Sequence, residues 1–316
     1  MKKEKDPESS IKKDASASNI KNVLLAFSGG PDSVALAYAL NKSGLNLIAL
    51  HCNFHLRGEE SNRDQKFVED FCSDHSIPLK VIEFDINEYL KSHKGESVEM
   101  ACRNLRYEWF EKELKETCYD RIATGHNKDD NIETFLLNML RGSGTRGLKG
   151  MLPDTGTIWR PLLKFEKNLL LNYLEANNLS YIIDSTNLES DYRRNFLRNQ
   201  IIPLFKEEWE GFNEAMSRTI SNIQSENLIV EFALNQQIGE DIDYLDIDRI
   251  QSFPAPTLLI KRFIDRIGPY VSTPEEVVAA IKAGKPHIRK WKLKKGELIL
   301  RNGRLFIEMV HSKSRT

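Results

Sequence analysis

Through the first half of the chain, short apolar runs alternate with segments of helical periodicity, and this restricts the fold more than any other feature. VLLAF (23–27) precedes a helix from Ser33 whose face carries Val34, Leu36, Ala37 and Leu40. LNLIALH (45–51) and IPLKVIEF (77–84) read as further strands, separated by a helical stretch from Ser61 to His75 with Phe67, Val68 and Phe71 at helical spacing. Ser97 to Lys115 is another helix, RIATGH (121–126) a fourth strand, and Ile132 to Leu140 a helix again. Strands that alternate with helices in this way form a parallel sheet joined by crossover helices. The fold class is therefore α/β. Ligands of such sheets sit at the carboxyl ends of the strands, where Ser28, His51 and His126 fall.

The alternation stops near Ser190, and a smaller, mainly helical C-terminal domain is expected from residue 216 to 316, beginning with a long connecting helix over 220–238. GELILRNGRLFIEMV near the end gives a hairpin signal about Asn302-Gly303. GSGTRGLKGMLPDTGT (142–157) reads as a long flexible loop. The first 19 residues carry charge without an apolar core, which predicts a disordered tail and no secretory signal. No apolar stretch approaches the roughly 18 residues that span a bilayer. The four cysteines lack CxxC spacing, which argues against a zinc or iron–sulfur site and for reduced thiols in a cytoplasm. Net charge is only −1, yet residues 282–316 carry 11 Lys or Arg against two Glu. Lys282, Lys285, Arg289, Lys290, Lys292, Lys294 and Lys295 make this end a candidate for a polyanionic partner.

The first strand ends in Ser28-Gly29-Gly30-Pro31-Asp32-Ser33. A Gly-Gly turn feeding a helix aims backbone N–H groups at one point, which makes an anion site at a helix N-terminus. The loop is shorter than GxxxxGK[ST] and lacks its Lys. An Asp in an anion site makes sense when a divalent cation bridges it to phosphate. The turn thus predicts Mg²⁺-pyrophosphate, the group that departs when ATP transfers AMP.

SGGPDS after a strand resembles the signature of the PP-loop ATP pyrophosphatases, which adenylate a substrate oxygen and then displace AMP. HCNFHLRGEES (51–61), EMACRNLRYEWF (99–110), ATGHNKDDNIET (123–134), RGSGTRGLKGM (141–151), RPLL (160–163) and DSTN…RRNFLRNQIIP (184–203) resemble, in order, elements of the tRNA(Ile)-lysidine synthases, in their compact form. One departure stands out: Phe54 occupies the place of the second His in the family's His-x-Asn-His element, with His55 next to it. The resemblance covers residues 20 to 205 and implies a PP-loop catalytic domain over 20–215, followed by a basic tRNA-binding region.

The resemblance implies ATP-dependent attachment of free L-lysine to C2 of the wobble cytidine in the CAU anticodon of tRNA(Ile), through an adenylated intermediate, changing decoding from AUG to AUA. ATP and Mg²⁺ are the implied cofactors, with no membrane partner, and the implied assembly is a homodimer. Ser28, Gly29, Gly30, Pro31 and Ser33 would cradle phosphates, with Asp32 contacting the metal, and His51, Asn53, Gly125 and His126 near the nucleotide. A lysine ε-amine is neutral in only ~1 in 2,500 molecules at pH 7, a cost of roughly 4.6 kcal/mol. Asp130 and Glu133 would therefore bind the lysine, either of them serving as base. Arg103 and Arg106 would face the α-phosphate or the cytosine oxygen, and Arg141, Arg146, Arg193, Arg194 and Arg198 would contact RNA. Tyr192 and Trp159 are candidate stacking platforms. Two rival readings are a PP-loop thiolase or other ligase, and a nucleotide- and RNA-binding module without catalysis.

Overall fold

A computed structural model of the chain describes residues 6–183, 192–239, 243–265, 274–284, 288–293 and 296–309. The chain divides into two compact units, Met1–Gln224 and Ser225–Thr316.

The first unit is built on five parallel strands: β1 (Asn22–Ala26), β2 (Asn46–Asn53), β3 (Leu79–Glu83), β4 (Arg121–Ala123) and β5 (Ile158–Trp159), in the order β3-β2-β1-β4-β5. Its helices are α1 (Pro7–Ala17), α2 (Pro31–Lys42), α3 (Glu59–Asp74), α4 (Ile86–Ser92), α5 (Val98–Glu116), α6 (Lys128–Leu140), α7 (Thr145–Leu148), α8 (Lys167–Ala176), α9 (Tyr192–Phe196) and α10 (Ile202–Glu208). A π-helical turn, Leu197–Ile201, joins the last two. Strand β1 is apolar without alternation because both of its faces are covered. Val23 and Leu25 point into a cluster with α1, α2 and α8, whereas Leu24 packs with Trp109, Phe110 and Ile122 on the other face. Each fully buried side chain of this kind contributes about 1.5–3 kcal/mol.

Two expectations are corrected here. The tail predicted over residues 1–19 contains helix α1, capped by Asp6, whose carboxylate accepts from Ser9 N at 2.8 Å. Ile11 and Ala15, one helical turn apart, are buried in the main core. Tyr173 donates to Glu8 and Lys164 pairs with Asp14, tying α1 to α8 and the loop before it. A four-residue apolar spacing inside a charged segment is diluted when composition is averaged over the whole segment. The Gly-rich loop 142–157, expected to be flexible, contains α7 and is pegged by side chains. Asn138 donates to Gly147 O, Asn131 accepts from Met151 N, and Gln224 donates to Lys149 O.

The second unit begins inside the long helix α11 (Phe212–Ile238), rather than near residue 215. Ile220 belongs to a core with Ile132 and Phe135, whereas Leu234 and Ile238 belong to another with Phe263 and Leu298. One unbroken helix serves both, so no change of composition marks the boundary. β6 (Tyr244–Asp246), α12 (Ile247–Ser252), α13 (Pro256–Ile264), α14 (Pro274–Lys282), β7 (Arg289–Leu293), β8 (Gly296–Arg301) and β9 (Arg304–Met309) complete it. Its four strands form an antiparallel sheet, β6-β9-β8-β7, so helices share this unit with a sheet. The β8–β9 hairpin turns on Asn302 and Gly303, both at positive φ, as the Asn-Gly pair requires.

Candidate active site

The strand order reverses between β1 and β4, and the crevice beyond their carboxyl ends is where such a sheet binds its ligand. The Ser28–Ser33 turn leaves β1 there, and Thr124–Asn127 leaves β4. The two loops touch at Gly125, where an added Cβ would lie 3.1 Å from the backbone of Asp32 and Ser33. Glycine permits that approach without strain, whereas a Cβ there would push the backbone back by a few tenths of an ångström. Gly29 sits at φ +83°, and its carbonyl accepts from Ile182 N at 2.9 Å. Ser33 Oγ donates to Gly30 O at 2.9 Å and lies 3.1 Å from Ser28 Oγ. Gly30 and Pro31 start α2 with no side-chain cap, leaving the N–H groups of its first turn for a ligand.

Asp32 is held between two donors, Asn127 Nδ2 at 3.1 Å and Lys167 Nζ at 2.7 Å. The turn itself holds no lysine; α8 supplies one from 135 residues away. Asn127 is also the N-cap of α6: its side chain accepts from Asp130 N, and Asp130 in turn accepts from Asn127 N. A single asparagine thereby links the glycine turn to the acid cluster. Its only trace in the sequence is the capping-box spacing Asn127…Asp130.

The three acids of this helix are placed differently. Asp129 accepts from Lys206 Nζ and Lys167 N, both at 2.8 Å; burial pushes its pKa up, but these donors outweigh it and hold it below the usual range. Glu133 is 1% exposed and accepts from Arg194 Nε (2.9 Å), Arg198 Nε (2.6 Å) and Arg198 Nη2 (2.8 Å). Asp130 takes one donor from Arg198 at 3.0 Å. Burial, with the charges of Glu133 and Asp32 nearby, raises its pKa above the ordinary carboxylate value. Arg194 and Arg198, expected on RNA, are thus committed to carboxylates, since α9 and the π-helical turn bring them against α6.

His51 and Asn53 end β2, both buried. His51 Nδ1 lies 2.9 Å from Phe27 O, and burial lowers its pKa. Asn53 donates to Gln65 and accepts from His55 N. His126 Nδ1 lies 2.8 Å from Thr124 Oγ1; burial, with Arg160, Arg194, Arg103 and Arg106 around it, lowers its pKa to about 4. Phe54 stacks on Phe84 at 5.3 Å and carries the Arg106 guanidinium on its ring, so an apolar ring occupies the place of the family's histidine. His55, at φ +51°, turns out to pair with Glu83. Arg103 lies over Tyr107. Arg141, Arg146 and Arg193 are exposed around α6, α7 and α9. Trp159 is 3% exposed in the core, which removes it as a stacking platform; the Tyr192 side chain lies outside the described residues.

In the second unit, Lys282, Arg289, Lys290 and Lys292 are exposed, Lys290 pairing with Glu297. Lys285, Lys294 and Lys295 lie outside the described residues.

A five-stranded parallel sheet with SGGPDS at its switch point defines a PP-loop domain, and residues 3–205 match the family model of that description. Among curated relatives, a tRNA(Ile)-lysidine synthase of Parabacteroides distasonis is 38% identical over 262 residues, covering 82% of this chain and 60% of its own. That of Petrotoga mobilis is 34% identical over 274 residues, covering 85% and 86%. The chain belongs to the tRNA(Ile)-lysidine synthase family of PP-loop proteins. It spans 60%, 58% and 54% of the first three curated relatives. The U34-tRNA thiolase NcsA from Methanococcus maripaludis superposes with a TM-score of 0.57 at 21% identity, over 69% of this chain and 78% of that one, a likeness of fold. No helix among the described residues is long and apolar enough to cross a membrane.

Proposed function

We propose that the chain ligates free L-lysine to C2 of the wobble cytidine in the CAU anticodon of tRNA(Ile), converting ATP to AMP and diphosphate. The observation that carries this reading is the Asn127 bridge, which joins a diphosphate-type turn to an acid cluster in one crevice. The names of the relatives support the same reaction.

In this reading, the uncapped start of α2 and the Ser28 and Ser33 hydroxyls receive the β and γ phosphates of ATP, and Lys167 adds a cation beside them. Mg²⁺ fits the donor set, since it is usually held by one or two carboxylates together with substrate phosphates. Asp32 would hold it, with Asp130 within electrostatic range. When bound, it neutralises charge on the departing diphosphate. Arg103 and Arg106 stabilise negative charge at the reacting phosphate or the cytosine oxygen. Asp130 then orients the lysine ammonium, while Glu133 holds Arg194 and Arg198 beside it. Of the two acids, Asp130 is the base: its raised pKa suits proton acceptance, while Glu133 is occupied by three guanidinium donors. The basic residues of the second unit position the tRNA through its phosphates.

The test is to incubate the protein with ATP, lysine and an isoleucine tRNA carrying CAU, then weigh the nucleosides. Lysine added to cytidine, with AMP and diphosphate released, supports the reading. ADP and orthophosphate, sulfur incorporation, or unmodified cytidine refutes it.

A further inference from the structure

Arg160 plays no part in the roles above. It follows Trp159, which pairs in register with Ala123 of β4, so it leaves the sheet at the same end as Thr124 and His126. Among the described residues its guanidinium makes one hydrogen bond, from Nη1 to Leu152 O at 2.9 Å. Its Nε is buried and meets no acceptor among the described residues. No carboxylate pairs with Arg160 among the described residues. Buried donors are nearly always satisfied, so an orphan at the mouth of a ligand crevice marks a place where an acceptor arrives.

The surroundings add to the argument. Arg103 and Arg106, on α5, rest on the rings of Tyr107 and Phe54 and likewise lack a carboxylate among the described residues. All three guanidiniums act electrostatically on His126, and Arg103 acts on Arg160. Arg194 and Arg198 contrast with them, because Glu133 and Asp130 balance their charge. The crevice therefore holds guanidiniums without a carboxylate among the described residues: Arg160 past β5 with Arg103 near it, and Arg106 over Phe54 past β2.

The shape of the donor indicates the ligand. Nη1 is spent on Leu152, which leaves the opposite edge of the guanidinium, Nε with Nη2, for a ligand. That edge presents two parallel N–H groups, the fork that engages two oxygens of one phosphate.

We infer that Arg160, backed by Arg103, forms a second phosphate-binding point in the crevice, separate from the glycine turn and on the β5 side. The inference rests on the proposed reaction only for the owner of the phosphate, which is the α-phosphate of ATP or a backbone phosphate of the tRNA.

The test uses the full chain and two variants, Arg160→Gln and Arg160→Lys. Equilibrium binding is measured for a non-hydrolysable ATP analogue, for a tRNA transcript carrying the CAU anticodon and for L-lysine, with thermal melts run alongside. A loss of about tenfold or more in Arg160→Gln for the analogue assigns the nucleotide phosphate; the same loss for the transcript assigns the RNA. Arg160→Lys keeps the charge but not the fork, and should show a smaller loss in the same arm. Should Arg160→Gln fail to fold, the lysine variant carries the test alone, with a several-fold loss expected. Unchanged binding of both phosphate ligands by a folded variant, or a change confined to L-lysine, overturns the inference. Wild-type protein that binds phosphate through Arg160 yet forms no lysidine refutes the reaction and leaves this site standing.

Discussion

Replacing Glu133 by Gln tests whether the acid cluster is held together by its arginines. The amide keeps the size of the side chain but presents one oxygen and one NH₂ group. Oε1 accepts from Arg198 Nε, while Oε2 accepts from Arg194 Nε and Arg198 Nη2. Whichever way the amide turns, its nitrogen meets a guanidinium N–H, so at least one bond is lost and the others lose their charge assistance. One hydrogen bond to a charged group contributes about 1.5–3 kcal/mol. Complete burial would raise the penalty toward ~3–5 kcal/mol. The Arg194 and Arg198 side chains, however, are 34% and 40% exposed and can rehydrate. The expected loss is therefore about 2–3 kcal/mol, which lowers the melting midpoint by roughly 4–12 °C for a unit of this size. A melt of Glu133→Gln, Arg198→Met and the double variant reads this directly, and the pair should be non-additive by about 1 kcal/mol or more. A wild-type midpoint in Glu133→Gln, or strict additivity, would show that the contacts carry no such coupling.

Other consequences are narrower. Gly125→Ala forces the β1 and β4 loops apart by a few tenths of an ångström, and nucleotide affinity should fall several-fold by titration with an ATP analogue. Lys167→Met removes the cation beside Asp32 and should weaken the same titration by about tenfold, with tRNA affinity unchanged. Because the folded pKa of His126, about 4, lies below the ordinary value of 6.5, protons bind the unfolded chain preferentially between those values. Its contribution is complete above pH 6.5 and falls as pH drops toward 4, so His126→Gln should remove about 2 kcal/mol of the stability lost between pH 7.5 and 5, read from urea midpoints. Replacing Lys282, Arg289 and Lys292 by Ala should reduce the salt dependence of tRNA binding, the log–log slope falling by up to about 0.9 per lost duplex phosphate contact.

Much of the first unit was legible because its determinants are local. The VLLAF run (23–27) is apolar since two helical layers bury it, and a Gly-Gly turn that opens a helix has few uses besides binding an anion. The acids of α6 lie at helical spacing, so their shared face could be read from Asp130 and Glu133. What could not be read is which charges meet across the fold. Lys167 reaches Asp32 over 135 residues with no local signal. Arg194 and Arg198 carry the same chemistry as Arg103 and Arg106, yet the first two meet carboxylates and the second two rest on aromatic rings. A guanidinium suits phosphate and carboxylate alike, so residue type alone assigns neither; the packing of α9 against α6 decides it. The arginines most open to phosphates are then those the fold leaves without a carboxylate. On that criterion the crevice past β5, where Arg160 lies with Arg103 near it, is better placed than the RRNFLR segment to receive a phosphate.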